Sequence, residues 1–209
     1  VCYFAVPRDV TPLTPMAVTA EDRAGNRTSA GIPFYVRKTR PFRSDEVNVG
    51  DTFLQQKAVE FQQMDERCAG KSAPEVFSFV NGVIRAENDA KIRSLCLTSS
   101  ASQHWDGQTF ARMKNSAPKA LFGDMRTYFY QGTSLGNSVH LGVDLASLAQ
   151  SPVEAANAGT VVFADFLGIY GNCVILDHGQ GIFSLYAHLT SISVKPGDTV
   201  AKGQAIGVS

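Results

Sequence analysis

Apolar and polar residues follow three regimes along the chain. They alternate over residues 1 to about 40, recur at helical spacing from about 51 to 95, and form short β-branched or aromatic runs cut by glycine from about 120 onward. In the first regime, "MAVTAED" and "GIPFYVR" predict two strands joined by the Gly/Asn-containing turn "RAGNRTSAG". In the second, Phe53, Leu54, Ala58, Val59, Phe61 and Met64 predict a helix with Asp51 as its N-cap. A further helix is predicted in "SAPEVFSFVNGVIRAENDAKIRSLC", with Ser72 as cap, Pro74 in the first turn, and Val76, Phe77, Val80, Val83 and Ile84 on one face. In the third, "GTVVFAD", "GNCVILD", "GIFSLYAHL" and "DTVAKGQAIGV" predict strands, with "DHGQG" turning a hairpin between the middle two.

These regimes suggest three regions. Residues 1–40 contain "AEDRAGN", which resembles the late strands of bacterial immunoglobulin-like domains. Two strands are too few for a sandwich of about seven, so the stretch reads as the end of such a domain. Residues 41–119 read as a linker, begun by the basic "KTRPFRSD", and a helical segment without evident chemistry. Residues 120–209 read as a mainly β domain of antiparallel hairpins. The fold expected is therefore a β C-terminal domain preceded by a small helical segment and a partial immunoglobulin-like region.

Bulk properties narrow the partners. Lys+Arg and Asp+Glu balance at 19 each, so net charge gives no reason to expect nucleic acid or an anionic membrane. No apolar run reaches about 18 residues, the length that spans a bilayer. No basic segment followed by an apolar one marks a signal peptide. The chain opens on Val1 in what reads as mid-strand, so a processed product or a fragment is expected. Four cysteines are present, none in a CxxC; Cys68 and Cys96 can pair in an oxidising compartment, and Cys173 in "CVIL" reads as a buried apolar residue. Oligomeric state is not legible.

Four histidines carry the candidate chemistry. His104, in "SQHWDG", reads as a surface or packing residue, and His178, in "DHGQG", as a hydrogen-bonding turn residue. His140 and Asp144 stand four apart in "SVHLGVDLAS". On a regular strand they would lie about 13 Å apart, too far to share an ion. Gly142 between them permits a bend that brings imidazole and carboxylate together. Both are donors that zinc accepts, yet this motif alone leaves a metal site and a chance turn pairing both open. His188 ends the aromatic strand "LYAHL" and alone reads as a core or edge histidine.

The order of the pieces is more specific. "HLGVDLAS", "PVEAANAGTVVFAD", "GNCVILDHGQGIFSLYAHL" and "VKPGDTVAKGQAIGVS" follow one another over about the last 90 residues, with "FGDMRTYFYQG" as lead-in. This resembles the lysostaphin/LytM-type zinc metallopeptidases. The resemblance implies that His140 and Asp144 are zinc ligands and that His188, in a Tyr-x-His-Leu signature, is the catalytic histidine. It implies peptidoglycan cross-link or stem peptides as substrate and the bacterial cell envelope, periplasmic or extracellular, as location. The third ligand of the family comes from a His-x-His motif after the "GQxIG" strand, and the sequence reaches Ser209 without it. If the chain is complete, weak zinc binding and little hydrolysis are expected, since a catalytic zinc takes three protein ligands. Two rivals remain. Some relatives of this fold lack ligands and activate cell-wall amidases, and "VKPGDTVAKGQAIG" also resembles biotinyl and lipoyl carrier hairpins, but neither Lys195 nor Lys202 sits in the pattern of a modifiable hairpin-tip lysine, so the phrase marks a fold and not a catalytic site. The helices preceding the catalytic motifs suggest a lid over the groove.

Overall fold

The computed structural model describes residue 8 and residues 16–32 and 41–209. Two compact units form, one within residues 4–42 and one holding residues 43–209. In the first, β1 (Ala17–Glu21) pairs antiparallel with β2 (Arg27–Gly31). Asp22 shapes the turn: its Oδ1 accepts the N–H groups of Ala24 and Asn26 at 2.8 and 3.0 Å. That Asx turn closes the hairpin by Asn26, so the second strand begins inside the stretch read from sequence as turn. The "FYVR" run predicted as strand lies outside the described residues.

The second unit contains, in order, β3 (Ser44–Asn48), α1 (Asp51–Met64), α2 (Ala73–Phe79), α3 (Arg85–Leu95), β4 (Ala117–Ala120), β5 (Met125–Tyr130), β6 (Thr133–Val139) and β7 (Asp144–Ala146). It continues with β8 (Pro152–Glu154), β9 (Gly159–Phe166), β10 (Asn172–Asp177), β11 (Phe183–Leu189), β12 (Ser191–Ile192), β13 (Thr199–Val200) and β14 (Ala205–Val208). The sheets run β11-β10-β9-β13, β12-β14-β8, β3-β5-β6 and β4-β7. Antiparallel hairpins dominate, as the glycine-cut runs predict. The exception is β3, which pairs parallel with β5 in a stretch read as linker. "SDEVN" gives no strand signal because only Val47 of it is even partly buried.

β10 is the spine of the unit. Val174 and Leu176 enter one core with Val153, Val161, Leu189, Val200 and Ile206. Cys173 and Ile175 enter a second, with Leu167 and the helix residues Ile92, Leu95 and Cys96. Burial on both faces explains the unbroken "CVIL" run, where a half-exposed strand would alternate. Leu176, with no exposed surface, is expected to lose about 2–5 kcal/mol of stability on change to alanine, measurable by urea denaturation.

The helices cover the β region from one side. Gly50, not Asp51, is the N-cap of α1; Asp51 instead accepts the Tyr130 hydroxyl at 2.6 Å. Leu54, Ala58 and Phe61 face the core, while Phe53, Val59 and Met64 are exposed, because the helix buries only the stripe it sets against its neighbours. α2 and α3 form one continuous helix through a π-helical turn at Val80–Ile84. The wider turn shifts the helix phase. Val76, Phe77, Val80 and Ile84 are buried before and within it, and Val83, predicted on that face, is exposed. Cys68 and Cys96 are both free, so the disulfide considered from sequence does not form; Cys68 lies in the α1–α2 core and Cys96 against the β10 core.

Residues 97–116 cross the β region as an irregular strap. Asp177 anchors it by accepting Ser99 Oγ at 2.6 Å and Ser100 N–H at 2.8 Å. Lys202 Nζ ties its middle to Asp106 at 2.8 Å and to the Thr109 carbonyl at 2.9 Å. The Lys202 ammonium, helped by Asn157, holds the Asp106 carboxyl down at about 2. A lysine engaged in this way is unlike the free hairpin-tip lysine that a biotinyl or lipoyl carrier needs.

Candidate active site

The His140–Asp144 pair is built by strand ends. β6 stops at Val139, the chain bends at Gly142, and β7 starts with Asp144. The backbone of His140 is pinned on both sides: its N–H donates to the Asp124 carbonyl and its carbonyl accepts Gly123 N–H, each at 2.8 Å. Asp144 pairs with Ala120 of β4. The next residue, Leu121, turns its carbonyl to His140 Nδ1 at 3.1 Å. The bend leaves His140 Nε2 and Asp144 Oδ1 3.0 Å apart, so the two residues singled out from sequence do meet.

Proton accounting shows what this contact means. A carbonyl only accepts, so Nδ1 carries the hydrogen and donates to Leu121. In the neutral ring Nε2 then presents a lone pair, and it faces carboxylate lone pairs. Two acceptors at 3.0 Å repel unless an electrophile, a proton or a metal ion, lies between them. A ring whose second nitrogen donates to a backbone carbonyl is also how proteins orient a metal-binding histidine. The donor set therefore fits zinc. Arg126 on β5 approaches the other Asp144 oxygen only to 3.9 Å, a weak exposed contact. Among the described residues no third His, Cys, Asp or Glu completes a metal-binding group.

His188 is placed by a β-bulge. Val174 pairs with Tyr186, but Asn172 pairs with Leu189, so Ala187 and His188 together oppose Cys173. In a regular strand His188 would share the core-facing side of Tyr186. The extra residue breaks the alternation: Tyr186 and Leu189 both reach the core, and His188 turns outward. His188 takes a φ of +58°, a left-handed conformation costing a non-glycine residue about 1 kcal/mol or more. Such an outlier is worth retaining where a side chain must be aimed. Gly171, at φ +61° and ψ −149°, abuts it. A methyl group built on Gly171 would stand 3.7 Å from His188 Cα and 3.8 Å from its Nδ1.

The other histidines are structural. His178 is wholly buried, with Nδ1 2.7 Å from the Ala158 carbonyl and Nε2 2.7 Å from Ser184 Oγ. Ser184 Oγ in turn meets Tyr186 Oη at 3.0 Å, and Tyr186 Oη accepts Ala156 N–H at 2.7 Å. The tyrosine of the Tyr-x-His-Leu signature is thus a core strut. His104 is exposed, and its backbone N–H donates to the His178 carbonyl. Sequence reading missed the Leu121 carbonyl, which as a backbone group leaves no trace in residue identity. It also missed Gly171, whose place in "GIYGN" marks only a turn.

An imidazole and a carboxylate thus meet where β6 gives way to β7, and a further histidine turns outward on β11. Residues 138–209 match peptidase family M23, so this segment is similar to the family that the sequence motifs resemble. An uncharacterized protein of Neisseria meningitidis serogroup B is 41% identical over 100 residues, 48% of this chain and 16% of that protein. The DD-carboxypeptidase/endopeptidase Mpg of the same species is 39% identical over 69 residues, 33% of this chain and 16% of that protein. The peptidoglycan DD-endopeptidase ShyA of Vibrio cholerae is 39% identical over 70 residues, 34% of this chain and 16% of its own. The chain thus spans 16% of the length of these curated relatives. A crystal structure assigned to an M23 peptidase from Pseudomonas aeruginosa aligns over 98% of this chain and 63% of its own. Its 18% identity and TM-score of 0.55 show a shared fold.

Proposed function

We propose that the protein carrying this chain is a zinc-dependent endopeptidase that hydrolyses peptide bonds in peptidoglycan cross-links or stem peptides. The observation that carries this reading is the His140–Asp144 contact, with the ring locked by the Leu121 carbonyl. His140 Nε2 and Asp144 Oδ1 are the two donors for zinc, and residues 120–209 are the peptidase domain. Zinc bound there supplies a Lewis acid that polarises a scissile carbonyl and acidifies water. His188 acts beside it as a general acid–base group or stabilises developing charge, with its ring held outward by the bulge. The helical segment of 41–119 packs against this domain, and 1–40 is the end of an immunoglobulin-like region. Peptidoglycan as substrate draws on the name of ShyA, a peptidoglycan DD-endopeptidase, and such a substrate supports the bacterial cell envelope as location. No described helix is long and apolar enough to cross a membrane.

Purified peptidoglycan incubated with the zinc-loaded full-length protein tests this. New amine termini and soluble muropeptides are expected by mass spectrometry, and they vanish with a chelator and return with zinc. Sedimentation with peptidoglycan without any cleavage would instead identify a binding module that has kept a peptidase fold.

A further inference from the structure

The mechanism above leaves α3 without a role, yet α3 is the element that grips the loop beside His188. That loop, Leu167 to Gly171, joins β9 to β10 as a single 3-10 turn. Leu167 N–H donates to the Gly171 carbonyl at 2.8 Å, which closes the turn on itself. Two consecutive residues of α3 hold it. Asn88 Oδ1 accepts Ile169 N–H at 3.0 Å, and Asp89 Oδ1 accepts the Tyr170 hydroxyl at 2.8 Å. Gly168 is required under this grip, because a Cβ there would collide with the Asn88 amide. One and two turns further along the same helix face, Ile92, Leu95 and Cys96 pack against Leu167, Cys173 and Ile175. Burial, reinforced by Asp89, pushes the Tyr170 hydroxyl up to about 12, so it remains a donor throughout the physiological range.

The far end of the same turn is Gly171, whose backbone lies against His188. The contacts run without a gap from α3 to the turn to the strained histidine.

We propose that α3 is a positioning element of the peptidase site: Asn88 and Asp89 clamp the 167–171 turn so that Gly171 holds His188 in its outward, left-handed conformation. This rests on the assignment of His188 under Proposed function. It gives the helical segment a part in building the site, where a lid would hinder the reaction. Asn88 and Asp89 are positioning residues, as neither touches a reacting atom.

The test uses the full-length protein with Asn88→Ala and Asp89→Ala combined. Amide exchange at Ile169, Tyr170 and Gly171 is expected to rise, the His188 ring NMR signals to shift, and exchange at Val174 and Leu176 to stay as before. In turnover, kcat is expected to fall about tenfold with KM nearly unchanged, the pattern of lost alignment. The pair Asn88→Asp with Asp89→Asn keeps both acceptors and is expected to restore the parent behaviour. Should the double variant fail to fold, Tyr170→Phe removes one hydroxyl and gives the same readouts. A turn that exchanges faster while the His188 signals stay fixed overturns the proposal, as does a turn whose exchange does not change. Both NMR readouts hold for a protein that cleaves nothing, so the clamp and the peptidase reading fail separately.

Discussion

His188→Ala is expected to keep zinc and lose the reaction. The histidine lies on the β11 bulge, and the proposed function gives it the proton-handling part and no place among the zinc donors. Its removal should leave the bound zinc near the parent level while kcat falls by roughly 10²–10⁴-fold, the usual contribution of a general acid–base group. His140→Ala should differ in kind. It removes one of two donors held 3.0 Å apart and leaves Asp144 facing solvent, so zinc and activity vanish together. Zinc analysis of both purified variants beside their turnover makes the comparison. Loss of zinc from His188→Ala would make that residue a ligand and dissolve the assignment. Neither change touches a core residue, so thermal midpoints measured with a chelator present should stay close to the parent.

His178→Ala is expected to be the most damaging histidine change for stability. The ring has no exposed surface and bonds at both nitrogens, to the Ala158 carbonyl and to Ser184 Oγ. The change opens a cavity and strips partners from buried polar groups, for a combined cost of about 3 kcal/mol. In a chain of this size that lowers the melting midpoint by roughly 10 °C. The same ring sets a pH dependence. Burial lowers its pKa from the ordinary 6.5, against the opposing pull of the Ala158 bond and Asp177. The folded state therefore favours the neutral ring, and the unfolded chain takes up a proton more readily. Its contribution is fully present above about pH 6.5 and is lost as pH falls below that value. Denaturation curves from pH 8 to 5 should show this loss, and His178→Asn should flatten it. A parent curve with no decline over that range would mean that the folded and unfolded chains bind this proton equally and that burial does not disfavour the charged ring.

Much of this was legible in residue order. The switch from helical spacing to glycine-cut β runs marked where α1–α3 end and the strands take over. "CVIL" announced a strand buried on both faces, since only two covering layers tolerate four apolar residues in succession. Capping chemistry was legible at Ser72, whose N–H donates to Glu75 Oε2 at 2.8 Å, because a capping box is local. Where the determining partner is distant, the signal failed. β3 exists because β5 offers it an edge 81 residues later in the chain, from Ser44 to Met125. Phe53, Val59 and Met64 have the right character for a core and still face outward, as periodicity does not say how wide a stripe the neighbours will cover.

The candidate site divides the same way. The sequence by itself determined which side chains are present, their order, and that His140 and Asp144 flank a residue able to bend, because identity and spacing are local properties. Only the tertiary structure decided that the pair meets, that the Leu121 carbonyl fixes which nitrogen is bare, and that a bulge turns His188 out of the core. It alone brought Asn88 and Asp89 to the turn behind that histidine. Those facts depend on strand register and on backbone groups from remote segments. Register is set by the whole packed sheet, and a carbonyl belongs to every residue alike, so neither leaves a mark that a string of side chains can carry.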